Sequence, residues 1–325
     1  METSVSSRSL PPFAVLFGPT ASGKSDILHS ISSNPPDGFC GTPPWFEVVS
    51  ADSMQVYRGM DTGTAKPSLE ERQRLPYHLI DVRDPDEQYT VGDFVRAAES
   101  CIRDIATRGR LPIVSGGTAF YIRSLVCGMP DTPPSDPGVR AEIERETVER
   151  GLQAMHASLA AVDPESARTI DPADGYRIAR ALEVYRVSGR PRSAFRAPET
   201  LRTGFVCRIY RLSLPREELY ERINRRVDRM FSEGLEREVE TLIRAGYGKD
   251  TQALRAIGYR EFFTCHSPES ARAAIKRNTR RYAKRQITFA RQIPGHIDLS
   301  PTDRDTFRSG CGRLLQQLQK HAHNR

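Results

Sequence analysis

Apolar and polar positions follow two periodicities along the first third of the chain. Four short apolar runs bounded by turn residues predict strands buried on both faces of a sheet: 13–17, 46–50, 78–82 and 111–115. Between them apolar residues recur at helical spacing, as over 91–108, and Ser68 to Glu71 has the form of a helix capping box. Alternating strands and helices predict an α/β fold on a parallel sheet.

The pattern changes after residue 129. A proline-rich stretch over 130–137 is typical of a linker, and four segments of helical spacing follow it: 139–150, 152–162, 164–170 and 175–187. Alternation of apolar and polar residues over 205–214 predicts a further strand, which we expect to rejoin the sheet. From residue 216 onwards the chain is mostly helical in pattern.

A glycine-rich loop of the form G-x-x-x-x-G-K-[ST] stands directly after the first predicted strand and before a predicted helix. It consists of Gly18, Pro19, Thr20, Ala21, Ser22, Gly23, Lys24 and Ser25. In such a loop, which is common in nucleotide-binding and ATP-binding proteins, backbone N–H groups converge on phosphate oxygens and the helix N-terminus adds a favourable dipole. Lys24 supplies a positive charge and Ser25 can bind Mg²⁺. The loop predicts a phosphate site but does not identify the molecule that carries the phosphate.

These patterns together predict a P-loop NTPase-like parallel sheet core with a helical insertion domain and a helical C-terminal region. The length of 325 residues suits one large domain or two smaller ones. We divide the chain into a disordered tail, the first part of the core, the helical insertion, a core strand with basic helices, and a C-terminal tail: 1–10, 11–135, 136–200, 201–300 and 301–325.

Polar residues follow two more predicted strands. The carboxyl ends of parallel strands face the ligand crevice, so Asp52 is expected to act as a metal ligand or general base, unless it only caps a turn. Gly116 and Gly117 permit close approach of the backbone, and the Thr118 hydroxyl can donate to a leaving-group oxygen. An ordinary strand-to-helix turn would explain the two glycines equally well.

Composition narrows the class of protein. The net charge of +7 fits a polyanionic partner. No apolar stretch is long enough to span a bilayer, and the first residues lack the apolar segment of a secretory signal. The six cysteines include no C-x-x-C pair, which favours free thiols in a reducing compartment and predicts a cytoplasmic protein.

A strongly basic helix is predicted from about residue 271 to 293. Between residues 276 and 291 it carries seven Lys or Arg residues and no acidic residue. One face of this helix would present Arg277, Arg281, Lys284, Thr288 and Arg291. A basic face is often just solvated surface, but this density of charge favours contact with a nucleic-acid backbone.

Three functions are compatible with a phosphate loop and a basic helix. A small-molecule or nucleotide kinase would leave the basic helix without a role. A nucleic-acid motor driven by nucleotide hydrolysis would need a clear apolar strand that ends in acidic residues, and 78–82 is a poor candidate. A group transferase would use the loop to hold a diphosphate leaving group while a nucleic acid supplies the nucleophile.

Longer motifs make the chain similar to the tRNA dimethylallyltransferase (tRNA isopentenyltransferase) family. The motifs are 18–25, the segment SADSMQVYRGMDTGTAKP over 50–67, 89–94, 116–118, 255–260 and 284–291, and the similarity extends from about residue 14 to 297. It implies transfer of a dimethylallyl group from dimethylallyl diphosphate to N6 of adenosine-37, next to the tRNA anticodon, with release of diphosphate. Eukaryotic members carry a C-terminal zinc finger that this sequence lacks, so we expect the bacterial type.

The resemblance also implies roles for individual residues. The phosphate loop would hold the diphosphate, with Mg²⁺ at Ser25, and Asp52 would accept the N6 proton. Thr118 and Arg140 would lie at the reacting centre, in contact with tRNA or diphosphate. We expect tRNA and dimethylallyl diphosphate as partners, no membrane, and a monomer. The implied tRNA surface comprises Asp52, Ser53, Met54, Gln55, Thr118, Arg140, Tyr176, Arg177, Ile178, Ala179, Arg180, Arg255, Ala256, Ile257, Gly258, Tyr259, Arg260, Lys284, Arg285, Gln286, Ile287, Thr288, Phe289, Ala290 and Arg291.

Overall fold

The computed structural model describes residues 9–37, 39, 41 and 43–323, without the side chains of 321–323. The chain divides into two compact units, one formed by 1–127 with 200–325 and the other by 128–199. Most of the predicted N-terminal tail, 1–8, lies outside the described residues. Leu10, at the end of that predicted tail, is buried in the apolar core of the first unit, so the ordered core begins earlier than expected.

The first unit contains a parallel sheet, as the sequence predicted, and the sheet has six strands, one more than expected. The strands are β1 Phe13–Phe17, β2 Phe46–Ser50, β3 Tyr77–His78, β4 Leu111–Gly116, β5 Cys207–Leu212 and β6 His296–Leu299. Their order across the sheet is β3-β2-β4-β1-β5-β6, and every neighbouring pair is parallel. The segment expected to rejoin the sheet, β5, pairs directly with β1.

The third predicted strand was wrong in extent. It was expected over 78–82, but β3 ends at His78, because Leu79 and Asp81 take left-handed φ values of 63° and 57° that turn the chain out of the sheet. The Asp81 carboxylate instead accepts hydrogen bonds from Lys66 and Arg72. The edge strand β6 was not predicted, because its four residues alternate polar and apolar but form too short a run to indicate a strand.

Helices cover both faces of the sheet. In this unit they are α1 Lys24–Ser32, α2 Leu69–Arg74, α3 Val91–Thr107, α4 Ala119–Cys127, α8 Arg216–Ser232, α9 Leu235–Arg244, α10 Pro268–Ala290 and α11 Arg304–His323. Side chains alternate along β1, so that Phe13, Val15 and Phe17 face one apolar core while Ala14 and Leu16 face the other. The predicted capping box from Ser68 to Glu71 is present at the start of α2.

Most of 301–325 is the helix α11, in line with the helical pattern predicted after residue 216, but the expectation that this segment forms a tail was wrong. Phe307, Cys311 and Leu314 are fully buried in the core that also holds Tyr210 of β5. The Phe307 and Tyr210 rings meet edge to face, with centroids 5.1 Å apart. This helix therefore covers one face of the sheet and is part of the core.

The second unit is helical, with α5 Pro137–Val162, α6 Pro164–Thr169 and α7 Gly175–Ser188. The two helices expected over 139–150 and 152–162 are both present within α5, and Gly151 separates them with a non-helical φ of 79° and ψ of 159°. The predicted linker at 130–137 is tied to this unit: Glu183 accepts from the Ser135 hydroxyl and the Asp136 N–H, and Arg180 donates to the Pro133 carbonyl. The unit consequently starts at residue 128 and not at 136.

Candidate active site

The phosphate loop joins β1 to α1, and its lysine side chain makes hydrogen bonds to the backbone of the same loop. The Lys24 ammonium donates to the carbonyls of Gly18 and Pro19 at 3.0 and 2.9 Å. Ala21 and Gly23 adopt φ values of 62° and 91°, which turn the backbone sharply before α1 begins at Lys24. The backbone amides at the start of α1 thus face the same space as the Lys24 side chain, as binding of phosphate requires.

Asp52, two residues after β2, stabilises a turn and also faces the site. Its Oδ1 accepts from the backbone N–H groups of Met54 and Gln55 at 2.9 and 3.3 Å. No other described residue donates to Oδ2, and the side chain lines a cavity next to the phosphate loop. The two readings of Asp52, a turn cap and a reactive carboxylate, are compatible because each uses a different oxygen.

The ends of β2 and β4 lie against each other. The Thr118 hydroxyl accepts from the Ser53 N–H at 3.0 Å, and the Thr118 N–H donates to the Ala51 carbonyl at 3.1 Å. A Cβ at Gly116 would overlap the backbone of Ala51, so glycine is required for this approach. Parallel pairing of neighbouring strands therefore brings Asp52, Thr118 and the phosphate loop to one edge of the sheet.

A cavity of about 1380 Å³ opens at this edge of the sheet. Its wall includes apolar side chains from Met54, Val227, Met230, Ile257 and Ile275. The rest is mostly polar, and its cationic residues are Lys24, Lys66, Arg222, Arg225, Arg226, Arg229, Arg255, Arg260 and Arg285. A cavity that combines many cations with an apolar wall suits an anion that carries a hydrocarbon group.

Arg226 on α8 is a site residue that the sequence reasoning missed. Its guanidinium donates to the Thr64 carbonyl at 3.0 Å and makes no ion pair with a carboxylate in the described part of the chain. Burial lowers the pKa of Arg226, whereas the charge of Asp52 raises it. Burial, followed by repulsion from Arg226, lowers the pKa of Lys24 to about 8. Lys24 and Arg226 repel each other and make no ion pair in the described part of the chain, which favours binding of an anion between them.

A signal for Arg226 was present in the sequence. Arg222, Arg225, Arg226 and Arg229 recur at helical spacing directly after the strand that rejoins the sheet. The acidic residues interspersed in the same helix made it resemble an ordinary solvated helix. Only the contact between α8 and the loop over 61–65 distinguishes Arg226 from its neighbours.

The basic helix α10 exposes the face that the sequence predicted. Arg277, Arg281, Lys284, Thr288 and Arg291 are all exposed, and no described residue forms an ion pair with the four basic ones. Two other cations of this helix serve packing, because Lys276 pairs with Asp228 and Arg280 donates to Asn224, both on α8. The exposed face therefore keeps its charge available for a polyanion.

Several residues expected in the tRNA surface are buried, so this expectation is corrected for their side chains. The buried members are Ile178, Gly258, Tyr259, Gln286 and Ala290. The Tyr259 ring is fully buried and its hydroxyl donates to Glu238 at 2.7 Å. Each of these residues packs within its own unit because a neighbouring element covers it. The residues with exposed side chains are Tyr176, Arg177, Arg255, Arg260, Lys284, Arg285, Ile287, Thr288 and Arg291.

Gln286 joins α10 to the two loops of the site. Its Nε2 donates to the Gly117 carbonyl at 2.7 Å, and its Oε1 accepts from the Thr20 N–H at 3.0 Å. Gln55 is also held internally, since its Oε1 accepts from the Ser50 hydroxyl and its Nε2 lies 3.3 Å from the Ala65 carbonyl. Both glutamines therefore hold the site together through their side chains. The remaining predicted contacts, Ala179, Ala256 and Phe289, are partly exposed.

Arg140 belongs to the second unit and has partners there. Its guanidinium lies 5.2 Å from the centre of the exposed Tyr176 ring and 3.9 Å from the Glu183 carboxylate. Arg180 donates to the same carboxylate at 2.8 Å. The predicted residues Arg140, Tyr176 and Arg180 thus form one cluster around Glu183, in which Arg140 also lies 3.7 Å from the Glu144 carboxylate.

The residues present fit the expected magnesium ion. Ser25 lies in the first turn of α1, is exposed and lines the cavity. Mg²⁺ commonly uses one or two protein groups together with phosphate oxygens and water. No cluster of three or more His, Cys, Asp or Glu residues that could hold a metal occurs in the described ranges. A metal at Ser25 would therefore depend on the phosphates of a bound substrate.

The fold and the site define a class of P-loop protein. Its cavity has the cations and the apolar wall that suit a phosphate carrying an apolar group. The family model described as IPP transferase matches residues 55–293. The chain is 45% identical over 286 residues to the tRNA dimethylallyltransferase of Geobacter sulfurreducens, covering 86% of this chain and 89% of that protein. It is also 45% identical to tRNA dimethylallyltransferase 1 of Pelobacter propionicus, covering 88% and 91%.

Solved structures of tRNA isopentenyl- and dimethylallyltransferases also match this chain. The full-length tRNA isopentenylpyrophosphate transferase of Bacillus halodurans matches with a TM-score of 0.63 and 34% identity, over 96% of this chain and 99% of that one. A eukaryotic dimethylallyltransferase acting on tRNA matches with a TM-score of 0.72 and 27% identity, over 93% and 77%. The chain belongs to the IPP transferase family. The predicted family, fold class and enzyme class, a prenyl transferase, are confirmed.

Proposed function

We propose that the protein transfers a dimethylallyl group from dimethylallyl diphosphate to N6 of adenosine-37, beside the anticodon of a tRNA, and releases diphosphate. Membership of the IPP transferase family supports this reaction. The observation that carries the proposal is one cavity that contains Lys24, Arg226 and Asp52 together with an apolar wall. These groups match the three parts of the reaction, which are the leaving group, the acceptor amine and the hydrocarbon.

The phosphate loop, Lys24 and Arg226 bind the diphosphate and stabilise it as it leaves. The allylic C–O bond breaks, and its electron pair remains on the diphosphate oxygen. Cations that are already in position stabilise this charge without reorganising, which is the largest contribution that such sites usually make. Mg²⁺ held by Ser25 and the phosphates would supply further positive charge to the leaving group. Arg140, in the second unit, is proposed as a contact to the tRNA, as the family resemblance implies.

Asp52 orients the exocyclic amine and accepts its proton. The N6 lone pair forms the new C–N bond, and the proton moves to the free Oδ2 while Oδ1 continues to hold the turn. Thr118, whose hydroxyl contacts Ser53, positions the same region. The apolar wall around Met230 and Ile275 accommodates the five-carbon group and keeps water from the reactive carbon.

The target adenine must leave its stack to reach this cavity, at a cost of about a few kcal/mol. Phosphate contacts from the exposed face of α10, together with Arg255 and Arg260, offset that cost. Tyr176 and Arg177 of the second unit are exposed and are proposed as further contacts. The buried members of the predicted surface act by holding these groups in position.

We further propose that the protein acts as a monomer on one tRNA and works in the cytoplasm. The described cysteines, including the buried Cys127 and Cys311, are free thiols, which supports a reducing compartment. In the described part of the chain, no helix combines the length and apolar character needed to cross a bilayer. Sedimentation of the protein alone and with a stem-loop tests the monomer, which predicts the mass of one chain and of a one-to-one complex.

One assay tests the function against its alternatives. The protein is incubated with labelled dimethylallyl diphosphate, ATP, Mg²⁺ and an anticodon stem-loop, and all products are identified by mass spectrometry. We expect a stem-loop heavier by one dimethylallyl group at adenosine-37, an equal amount of diphosphate, and unchanged ATP. Transfer of phosphate from ATP would instead indicate a kinase, and hydrolysis of ATP stimulated by the stem-loop would indicate a motor.

A further inference from the structure

The Glu238 carboxylate on α9 accepts four hydrogen bonds. Its Oε2 accepts from the backbone N–H groups of Asp61 and Thr62 at 3.1 and 2.6 Å. Its Oε1 accepts from the Gly63 N–H at 3.1 Å and from the Tyr259 hydroxyl at 2.7 Å. Three consecutive amides that converge on one anion form a nest, a backbone arrangement that binds negative charge.

The turn that Glu238 holds is shaped for this contact. A Cβ at Gly63 would collide with the Tyr259 ring, so only glycine allows the tyrosine to reach the carboxylate. The carbonyls of the same turn point inward, where Asp61 accepts from the Lys66 N–H and Thr62 accepts from the Ala65 N–H. The amides are therefore left to Glu238, which lies more than 170 positions further along the sequence.

The same turn provides the contact that orients Arg226. The Thr64 carbonyl, one residue beyond the nest, accepts from Arg226 at 3.0 Å, and no other hydrogen bond of this guanidinium occurs in the described part of the chain. Thr64 is fixed further because its hydroxyl donates to the Met60 carbonyl at 2.7 Å. A movement of the turn would therefore move Thr64 and remove the one hydrogen-bond acceptor that Arg226 has among the described residues.

We propose that Glu238 is a positioning residue: by binding the amides of residues 61–63 it fixes the Thr64 carbonyl and, through it, the Arg226 guanidinium that holds the diphosphate. This inference rests on the function proposed above. It gives Tyr259 a role inside the protein as the fourth donor to Glu238. Through Tyr259, the segment over 255–260 contacts Glu238 and so the diphosphate site. The buried Tyr259 side chain itself does not reach RNA.

Glu238→Gln is the main test, because the amide retains the shape but can accept at only one of its two terminal atoms. Two of the four donors lose their acceptor, and the hydrogen bonds that remain are weaker because the acceptor is no longer charged. We expect the Kd for inorganic pyrophosphate with Mg²⁺, measured by calorimetry, to rise about tenfold or more. The Kd for the anticodon stem-loop should change less than about twofold, since no exposed tRNA contact is altered.

A double-mutant cycle distinguishes positioning from general destabilisation. If Glu238 acts through Arg226, the tenfold effect of Glu238→Gln on pyrophosphate affinity should largely disappear in an Arg226→Ala background. Equal losses in both backgrounds would overturn the proposal. Glu240→Gln, on the same helix and exposed in a pair with Arg244, is the matched control and should leave the affinity unchanged.

Tyr259→Phe provides a second variant that keeps the ring and removes one donor. It should weaken pyrophosphate binding in the same direction by a smaller factor, and it remains informative if Glu238→Gln does not fold. Unchanged pyrophosphate affinity in Tyr259→Phe and in any folded Glu238→Gln protein would also contradict the proposal. Wild-type transfer to the stem-loop is measured in parallel, because its absence would reject the proposed function and not the role of Glu238.

Discussion

Asp52 shows how one side chain satisfies both a local and a chemical requirement. Its Oδ1 closes the turn after β2 by accepting from two backbone amides, and its Oδ2 remains available in the cavity. Sequence alone left a turn cap and a general base as alternatives. The structure shows that they are not exclusive, because the turn itself directs the second oxygen towards the phosphate loop.

Asp52→Asn should separate the two roles. The amide oxygen can still accept the turn bonds, but the side chain can no longer take a proton. We expect kcat to fall by roughly 10²–10⁴, the usual contribution of a general base, with tRNA affinity nearly unchanged. Single-turnover kinetics with a prebound stem-loop measure the first quantity and a binding titration the second. Normal single-turnover rates with weak tRNA binding would contradict the role of Asp52 as the base.

At the scale of single elements, α10 has two faces with different roles. Lys276 and Arg280 attach one face to α8, and Gln286 attaches the helix to the phosphate loop and to Gly117. The outer face carries cations that have no described acidic partner. The sequence predicted this outer face from spacing alone, whereas the attachment to the site depends on partners that are distant in the chain.

Charge reversal at Arg281 and Lys284 should weaken tRNA binding and reduce its dependence on salt. Each phosphate contact that is lost lowers the slope of log K against log salt by roughly 0.7–0.9. Filter binding between low and moderate salt measures the slope. Reversal of Arg304 and Arg313, two exposed residues of α11, changes the net charge equally and is the control. An unchanged slope in the α10 variant would remove this face from the interface.

The buried Glu47, near the start of β2, predicts how the free energy of unfolding depends on pH. Burial alone would raise the pKa of Glu47, but hydrogen bonds from His78, Arg108 and Arg110 outweigh it and lower the pKa to about 2. Hydrogen bonds to Cys101 and Glu47 raise the pKa of His78 to about 9. The stabilisation from Glu47 is therefore lost as pH falls from about 4.5 to 2, and that from His78 as pH rises from about 6.5 to 9.

Glu47→Gln should consequently lower the free energy of unfolding by on the order of 3 kcal/mol at neutral pH, and by progressively less as the pH falls towards 2. Urea unfolding at a series of pH values measures this difference. Glu70→Gln removes an exposed pair with Arg74 and should have little effect at any pH. A loss of stability that stays constant from pH 7 to pH 3 would show that the charge of Glu47 is not responsible.

At the scale of the whole molecule, the first unit is assembled from both ends of the chain. Strand β5 and helix α11 come after the second unit in sequence, yet β5 pairs with β1 and α11 covers the sheet. The segment over 301–325 was expected to be a tail. Its burial shows that the phosphate loop depends on a core that the last helix completes.

Leu314→Ala should therefore destabilise the whole first unit. Leu314 is fully buried against the sheet, and removal of its side chain should lower the free energy of unfolding by about 2–5 kcal/mol. Gln316→Ala, at an exposed position of the same helix, is the control and should have little effect. Urea unfolding monitored by fluorescence and by circular dichroism measures both variants. Equal stabilities of Leu314→Ala and wild type would mean that α11 is not part of the cooperative core.

Contacts between neighbouring residues were enough to predict the phosphate loop, strands β1, β2 and β4, the capping box of α2 and the basic face of α10. These features follow from local spacing, from turn residues and from apolar runs, and the longer motifs identified the family. Only the tertiary structure shows that Arg226, Glu238 and Gln286 contact the backbone of Thr64, Asp61 and Gly117, because each of these backbone partners lies more than 160 positions away in the chain. No local pattern records such a contact, since it exists only after the parallel sheet brings the loops to one edge.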